Sequence, residues 1–209
     1  MTKLPKAIFF DLDGVLVDAT ELHYNALNDA LGIFGVGIGR DDHLKVYNGL
    51  PTKEKLRMMS EKGMIPMSLH NSIIEQKKIL TRRMVSVNCR PSYDKIMMLS
   101  WLRRMGVAMA CCSNAIKESV DEMLSLSGII DFFLFTLGND SGFVKPKPSP
   151  SIYNIAFDKL KSYGYEIGSK GDVWIVEDAP HGVEAARAFG AGKVIEVSGY
   201  NDVNLNLFL

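Results

Sequence analysis

The chain has 209 residues, 47% apolar and 23% charged, the composition of a soluble globular protein with one full core and a smaller inserted unit. Lysine plus arginine equals aspartate plus glutamate at 24 each, so no net charge attracts nucleic acid or an anionic membrane, and neither is expected as a partner. No apolar run approaches the ~20 residues that a membrane span needs.

Cysteine usage and the first residues indicate a compartment. Cys89, Cys111 and Cys112 show no metal-binding spacing. An odd number without a pattern argues for a reducing compartment and against a disulfide framework. Residues 1–6 lead into an apolar run without a signal-peptide core. We therefore expect a cytoplasmic protein, and the sequence makes no prediction of its oligomeric state.

The first predicted element is a buried strand that ends in two carboxylates. Ala7 to Phe10 form a short apolar run, Asp11 and Asp13 follow it, and Gly14 allows a sharp turn. Residues two apart on a strand share a face, so both carboxylates emerge at the carboxyl end of the strand, where open α/β sheets bind ligands. Their repulsion requires compensation, and Mg²⁺ is the favoured cation. The alternative is a helix-capping aspartate beside a turn aspartate.

Residues 16–90 contain helical patterns and no convincing strand, which predicts a helical insertion between the first strand and the rest of the sheet. The alternative, helices that simply pack on the sheet, is disfavoured because four of them follow one another without a strand. The predicted helices run from Glu21 to Leu31 behind a capping Asp18, from Asp41 to near Gly49, from Pro51 to Met59 and from Pro66 to about Val87.

From Pro91 onward helices and strands alternate, the pattern of a parallel α/β layer. The fold predicted is an open, doubly wound, Rossmann-like sheet of five parallel strands made of residues 1–15 and 91–209, with residues 16–90 as an inserted helical domain. Residues 201–206 read as loose chain. The later strands are predicted at Val107–Cys112, Phe132–Leu137, Asp172–Val176 and Lys193–Val197, and the helices between them at Ser92–Met105, Ala115–Leu126, Pro150–Tyr163 and Pro180–Phe189.

Polar residues follow three of the later predicted elements. Ser113 and Asn114 lie between a strand and a helix, where a hydroxyl and free backbone amides can cradle a phosphate, although an ordinary N-cap serine is the better interpretation of Ser113 taken alone. The prolines between residues 145 and 153 stiffen a loop that holds a lysine, whose ammonium would neutralise phosphate charge. Glu177 and Asp178 end another apolar strand, and with Asp11 they would form an all-oxygen site suited to Mg²⁺.

These four motifs, in this order and over essentially the whole chain, resemble those of the haloacid dehalogenase superfamily. The resemblance implies that Asp11 is a nucleophile that forms an aspartyl phosphate and that Asp13 is the general acid/base. It also implies that Ser113, Asn114 and a lysine of the third motif bind the phosphoryl group. The implied Mg²⁺ ligands are the side chains of Asp11, Asp178 and Glu177, the last directly or through water, and the backbone carbonyl of Asp13.

Two lysines compete for the third motif. The family pattern is Lys-Pro-x-Pro with an aromatic residue six positions after the lysine. Lys147 meets it with Tyr153, whereas Lys145 has Ser151 at that position. We therefore predict Lys147, with Lys145 as the alternative.

The helical insertion resembles the C1 cap of the phosphoglycolate phosphatase and beta-phosphoglucomutase-like members, a lid that excludes water and selects substrate. His23 resembles a histidine that couples cap closure to the acid/base, with a hinge-packing residue as the alternative. Thr52 and Lys53 fall in the segment that resembles the substrate-specificity loop of the cap.

Three departures weaken a closer match. Ala19 stands where many relatives carry serine or threonine, with Thr20 one place later. Beta-phosphoglucomutases carry an arginine and a lysine at the positions of Thr52 and Ile116, and phosphonatases need a lysine at Thr52, whereas Lys53 is one place off.

We therefore expect a Mg²⁺-dependent phosphatase that acts on a small phosphorylated metabolite of the sugar or polyol phosphate class. The alternatives are a phosphosugar mutase of the beta-phosphoglucomutase kind and a catalytically silent phosphate-binding interaction module.

Overall fold

The computed structural model describes residues 4–142 and 145–209, so the first three residues of the N-terminal segment lie outside the described part. Its described residues form a five-stranded parallel sheet in the order β3-β2-β1-β4-β5. The prediction of a doubly wound α/β sheet with a helical insertion after the first strand is confirmed. The strands are β1 (Ala7–Phe10), β2 (Ala108–Cys112), β3 (Phe135–Leu137), β4 (Val173–Glu177) and β5 (Lys193–Glu196).

Strand β1 lies at the centre of the sheet because all four of its residues are apolar and buried on both faces. Phe9 packs on one face against the rings of Tyr153 and Phe189. Phe10 packs on the other face against the rings of Phe133 and Phe208. Each face of the sheet therefore carries its own apolar layer, and the first predicted element anchors both.

The chain forms two compact units, one comprising Met1–Asp18 with Arg90–Leu209 and the other Ala19–Cys89. In the sheet unit, the helices alternate with the strands as the sequence predicted. They are α5 (Tyr93–Arg104), α6 (Lys117–Leu126), α7 (Ser151–Ser162) and α8 (Pro180–Phe189).

The second unit is helical throughout its regular elements. Its core joins apolar side chains of three helices, among them Leu27, Leu31, Leu56, Met59 and Ile73. The helices are α1 (Thr20–Gly32), α2 (Arg40–Asp42), α3 (Thr52–Glu61) and α4 (His70–Asn88), with a π-helical turn at His43–Tyr47 and a 3₁₀ turn at Met67–Leu69.

Four local predictions are wrong. Asp18 does not cap α1, because Ala19 is the N-cap residue. The segment Ile130–Phe132 is a 3₁₀ turn, so β3 begins three residues later than predicted. Helix α6 begins at Lys117, two residues after the predicted start, because the chain first turns after Ser113. Residues 201–206 are not loose chain, because 3₁₀ turns place Val203 and Phe208 in the interior.

Candidate active site

The sheet places the first and fourth acidic motifs side by side. Strands β1 and β4 pair in parallel with Phe10 opposite Val176, and the Asp11 amide continues the ladder by donating to the Val176 carbonyl at 3.0 Å. Asp11 and Glu177 are therefore the next residues on neighbouring strands, at the carboxyl edge of the sheet. The sequence pattern accounts for this pair, because two apolar strands that each end in an acid bring those acids to the same edge of the sheet.

Lys147 joins the two acids. Its Nζ donates to Asp11 Oδ1 at 2.6 Å, to Glu177 Oε1 at 2.5 Å and to the Cys112 carbonyl at 2.8 Å. All three ammonium hydrogens have acceptors, and the residue is only 4% exposed. A buried lysine held at three points is a fixed positive charge rather than a mobile one. Lys145, the alternative, is exposed.

Glu177 is fixed from two further sides. The Tyr153 hydroxyl donates to Glu177 Oε1, so the aromatic residue that marked the third motif also contacts the fourth. Gly182 of α8 lies against the same carboxylate, and a Cβ at that position would overlap it. The sequence reading missed Gly182 and the Cys112 carbonyl, because neither a helical glycine nor a strand carbonyl has a pattern of its own.

Ser113 and Asn114 lie beside this cluster, although neither starts a helix. The Ser113 hydroxyl is buried and accepts from the Ala115 amide at 3.0 Å. The Asn114 side chain bonds to the backbone of Lys147, with Oδ1 accepting from the amide at 2.9 Å and Nδ2 donating to the carbonyl at 3.4 Å. Phosphate binding by these two residues stays a prediction.

The electrostatics of the cluster reflect burial that one positive charge does not offset. Burial raises the pKa of Glu177 to about 8, with Lys147 opposing the rise. Burial, with the charges of Asp11 and Asp13, raises the pKa of Asp178 to about 7. Burial opposes the charge on Lys147, but Asp11 and Glu177 raise its pKa well above the usual value. One ammonium therefore faces three carboxylates that it cannot neutralise.

These carboxylates fit a divalent cation. One oxygen from each of Asp11, Glu177 and Asp178 lies within 4.8 Å of the others. Asp178 Oδ1 is buried and has no hydrogen-bond partner among the described residues. Three carboxylates, one of them with an oxygen that lacks a partner, offer the oxygen ligands that a hard cation such as Mg²⁺ prefers. Such an all-oxygen site is unsuited to zinc. The carboxylates present therefore fit the metal that the sequence predicted.

Asp13 stands outside the group formed by the other three acids. It is half-buried and forms an isolated bridge with Val17 in the turn that Gly14 makes with a φ of 78°. Its charge nevertheless raises the pKa values of Asp11 and Asp178, with burial as the larger cause for both. Asp13 is close enough to act on the cluster, and its acid/base and carbonyl-ligand roles stay predictions.

The three cap candidates all lie in the helical unit. His23 is half-buried on α1. Thr52 is the first residue of α3 and half-buried, whereas Lys53 is exposed. Their roles toward a substrate stay predictions.

The family is shown by comparison with known proteins. Residues 8–196 match the model of the haloacid dehalogenase-like hydrolase family, so the chain belongs to that family and the prediction of a hydrolytic enzyme is confirmed. It is 27% identical to a phosphorylated carbohydrates phosphatase of Thermotoga maritima over 92% of this chain and 85% of that protein. It is 26% identical to a probable pseudouridine-5'-phosphatase of Saccharomyces cerevisiae, over 89% and 80% of the two chains.

Solved structures share the fold. A predicted phosphoglycolate phosphatase from Haemophilus somnus superposes with a TM-score of 0.77 at 19% identity, covering 99% of this chain and 92% of that one. CbbY from Rhodobacter sphaeroides, solved in complex with phosphate, gives 0.78 at 21% identity over 93% and 87%. The same sheet with the same helical insertion therefore recurs in both.

In the described part of the chain, no helix combines the length and the apolar character that crossing a bilayer requires.

Proposed function

We propose that this protein is a Mg²⁺-dependent phosphatase that hydrolyses a small phosphomonoester through an aspartyl phosphate on Asp11. The observation that carries the proposal is the Lys147 ammonium, bonded to Asp11 and Glu177 at 2.6 Å and 2.5 Å beside the orphaned oxygen of Asp178. A fixed cation and a set of hard ligands at a nucleophilic carboxylate are what attack on an anionic phosphoryl group requires.

The reaction has two steps. An Asp11 oxygen bonds to phosphorus as the bond to the leaving oxygen breaks, and Asp13 gives that oxygen its proton. Water then attacks the phosphorus of the aspartyl phosphate, Asp13 takes a proton from this water, and Asp11 leaves as the free carboxylate. Lys147 holds Asp11 in place throughout and balances negative charge on the phosphoryl oxygens.

The metal would be held by Asp11, Glu177 and Asp178, with the Asp13 carbonyl as a further proposed ligand. Mg²⁺ supplies charge neutralisation between the nucleophile and the phosphoryl group when bound. Ser113 is proposed to donate its hydroxyl to the phosphoryl group, whereas the side chain of Asn114 is bonded to the backbone of Lys147.

The substrate class proposed is a sugar or polyol phosphate. The relatives named above act, by their names, on phosphorylated carbohydrates and on a nucleoside phosphate. We propose that the helical unit selects among such compounds, with His23, Thr52 and Lys53 as its candidate contacts. The proposed setting is the cytoplasm.

A phosphosugar mutase is the second candidate, and the residues at the two positions where mutases carry an arginine and a lysine disfavour it. Thr52 and Ile116 are uncharged, and Lys117, next to Ile116, is exposed and pairs with Asp121. A silent binding module is disfavoured because all four acids of the two motifs are present.

The test is a phosphate-release screen over a panel of phosphorylated sugars, polyols and nucleosides, with Mg²⁺ or with a chelator. We expect release from at least one compound with Mg²⁺, loss on chelation and recovery when Mg²⁺ is restored. No release from any member of the panel, with Mg²⁺ present, would contradict the proposal.

A further inference from the structure

We propose that Asn114 is a positioning residue for Lys147, and that it acts through the backbone of that lysine. The inference rests on the proposed phosphatase function. It differs from the sequence prediction, which gave Asn114 direct contact with the phosphoryl group.

The Asn114 side chain forms hydrogen bonds with both polar backbone groups of Lys147. Its Oδ1 accepts from the Lys147 amide at 2.9 Å and its Nδ2 donates to the Lys147 carbonyl at 3.4 Å. The two residues are 33 positions apart, so one amide side chain ties the loop before α7 to the end of β2. The lysine Nζ then bonds to the Cys112 carbonyl, two residues before Asn114.

The loop needs an external anchor because of its composition. Pro146, Pro148 and Pro150 have no backbone N–H and can donate no hydrogen bond. The described amides of the loop besides that of Lys147 bond locally, such as that of Ser149 to the Pro146 carbonyl at 3.0 Å. Among the described backbone amides of the loop, that of Lys147 is therefore the one that bonds to the segment after β2, beside the bond that the Lys147 side chain makes to the Cys112 carbonyl.

Asn114 is itself held in place by Asn139, which lies in the loop after β3. The Asn139 side chain donates to the Asn114 carbonyl at 2.6 Å, and the Asn139 amide donates to the Ala115 carbonyl at 2.9 Å. This approach is close enough that a Cβ on Gly138 would overlap the backbone of Lys117 and Ala115. Hydrogen bonds therefore connect the loop after β3 to Asn114, and Asn114 to the backbone of Lys147. The ammonium of that lysine bonds to Asp11.

Placement of that ammonium matters for rate rather than for folding alone. A displacement of about 1 Å in a reacting or charge-stabilising group can reduce turnover by about a hundredfold. Lys147 carries its ammonium on a flexible four-carbon stem, so the ammonium can occupy more than one position once its backbone is no longer held. Loss of Asn114 should lower the rate without removing any group that touches the substrate.

The decisive experiment is a double-mutant cycle with N114A, K147A and the double variant, measured as kcat on the substrate that the screen identifies. A residue that acts through Lys147 has no effect once Lys147 is gone. We expect N114A to lower kcat about tenfold or more, and the double variant to match K147A within about twofold. Multiplicative losses would overturn the proposal, because a direct phosphate ligand or a general structural role gives that result.

A second readout does not depend on activity. Acetic anhydride labelling of lysines, followed by peptide mass spectrometry, reports how well each ammonium is held and covered. We expect N114A to speed labelling of Lys147 severalfold and to leave Lys95, which is 2% exposed and bonded to two carbonyls, unchanged. N28A is the matched control, since Asn28 Oδ1 accepts from the Ile38 amide at 2.9 Å in the helical unit.

The two readouts separate two failures. Unchanged Lys147 labelling in N114A, or equal acceleration at Lys95, would overturn the positioning role. A wild-type protein that hydrolyses nothing would instead overturn the proposed function, and the labelling result would still decide whether Asn114 holds Lys147.

Discussion

The ammonium of Lys147 lies 2.6 Å from Asp11 Oδ1 and 2.5 Å from Glu177 Oε1, so one lysine joins the ends of two neighbouring strands. Its side chain is 3% exposed, and that of Glu177 is 1% exposed. Charges this well covered are screened little by salt and interact strongly. Lys147 therefore holds the proposed nucleophile, Asp11, in place and supplies a fixed positive charge beside it.

Replacing Lys147 should remove activity, whereas replacing Lys145 should not. We expect K147A to lower kcat on the order of a hundredfold or more, because a preorganised charge at the transition state is lost. K145A should stay within about twofold of wild type, because its side chain is exposed. Kinetics on the substrate from the screen give both values, with far-UV circular dichroism as the folding control. The reverse ranking would move the third motif to Lys145.

Gly182→Ala should lower activity through Glu177. A methyl group at Gly182 would overlap the Glu177 carboxylate, which must then move away from Lys147 and Tyr153. We expect kcat to fall about tenfold and the concentration of Mg²⁺ for half-maximal activity to rise, since displaced ligands commonly lose tenfold or more in metal affinity. Gly32→Ala is the matched control, because no atom lies within 4 Å of a Cβ there. Equal metal requirements in wild type and G182A would contradict this account.

His43 should make the helical unit less stable in acid. Its ring is fully buried, neither nitrogen has a hydrogen-bond partner among the described residues, and the Tyr24 ring lies 5.2 Å away. Burial, then the charges of Lys55, His23 and Lys77, lower its pKa to about 4, against an opposing effect of Glu21.

Between pH 6.5 and 4 the unfolded chain therefore binds a proton at His43 that the folded protein does not bind. The free energy of unfolding should therefore decrease as the pH is lowered from 6.5 to 4, by up to about 3 kcal/mol in total. We expect His43→Phe to show a shallower loss of Tm between pH 7 and 5 than wild type, with pH 8 as the reference for packing changes. Parallel curves for the two proteins would contradict the prediction.

The sequence predicted the sheet and the acids well, for a physical reason. Apolar strands buried on both faces give uninterrupted runs, and acids that end them must meet at one edge of a parallel sheet. Contacts between distant residues were not predictable in the same way. Asn114 reads as a residue before a helix, and nothing local indicates that its side chain binds a backbone 33 positions away.

The helical unit was less predictable in detail. The turn at His43–Tyr47 is π-helical, and α1 begins without a side-chain cap despite the aspartate before it. Local cap rules fail there because packing of the apolar faces in the unit outweighs a single capping bond, which contributes only about 1 kcal/mol.

Hydrolysis and mutase chemistry can be separated on one substrate. A mutase must hold a second phosphate in a cationic pocket, because unpaired charge in a closed site is unfavourable. At the two positions where mutases carry an arginine and a lysine, this chain has the uncharged Thr52 and Ile116, and Lys117 pairs with Asp121.

We therefore expect free phosphate, and little glucose 6-phosphate, from beta-glucose 1-phosphate with Mg²⁺ and a trace of the 1,6-bisphosphate. Coupled assays follow both products, and omission of the protein is the control. Rapid glucose 6-phosphate formation with little free phosphate would favour the mutase.

The central claim is that Asp11 is the nucleophile, and trapping its phosphorylated form tests this most directly. The protein is mixed with substrate and Mg²⁺, quenched in acid and treated with borohydride, which reduces an aspartyl phosphate to homoserine. Peptide mass spectrometry then locates the change, with Asp13 in the same peptide as the internal comparison. We predict homoserine at position 11 only when substrate and Mg²⁺ are both present, and none in Asp11→Asn. Phosphate release by Asp11→Asn at the wild-type rate, or homoserine at position 13 instead, would contradict the account.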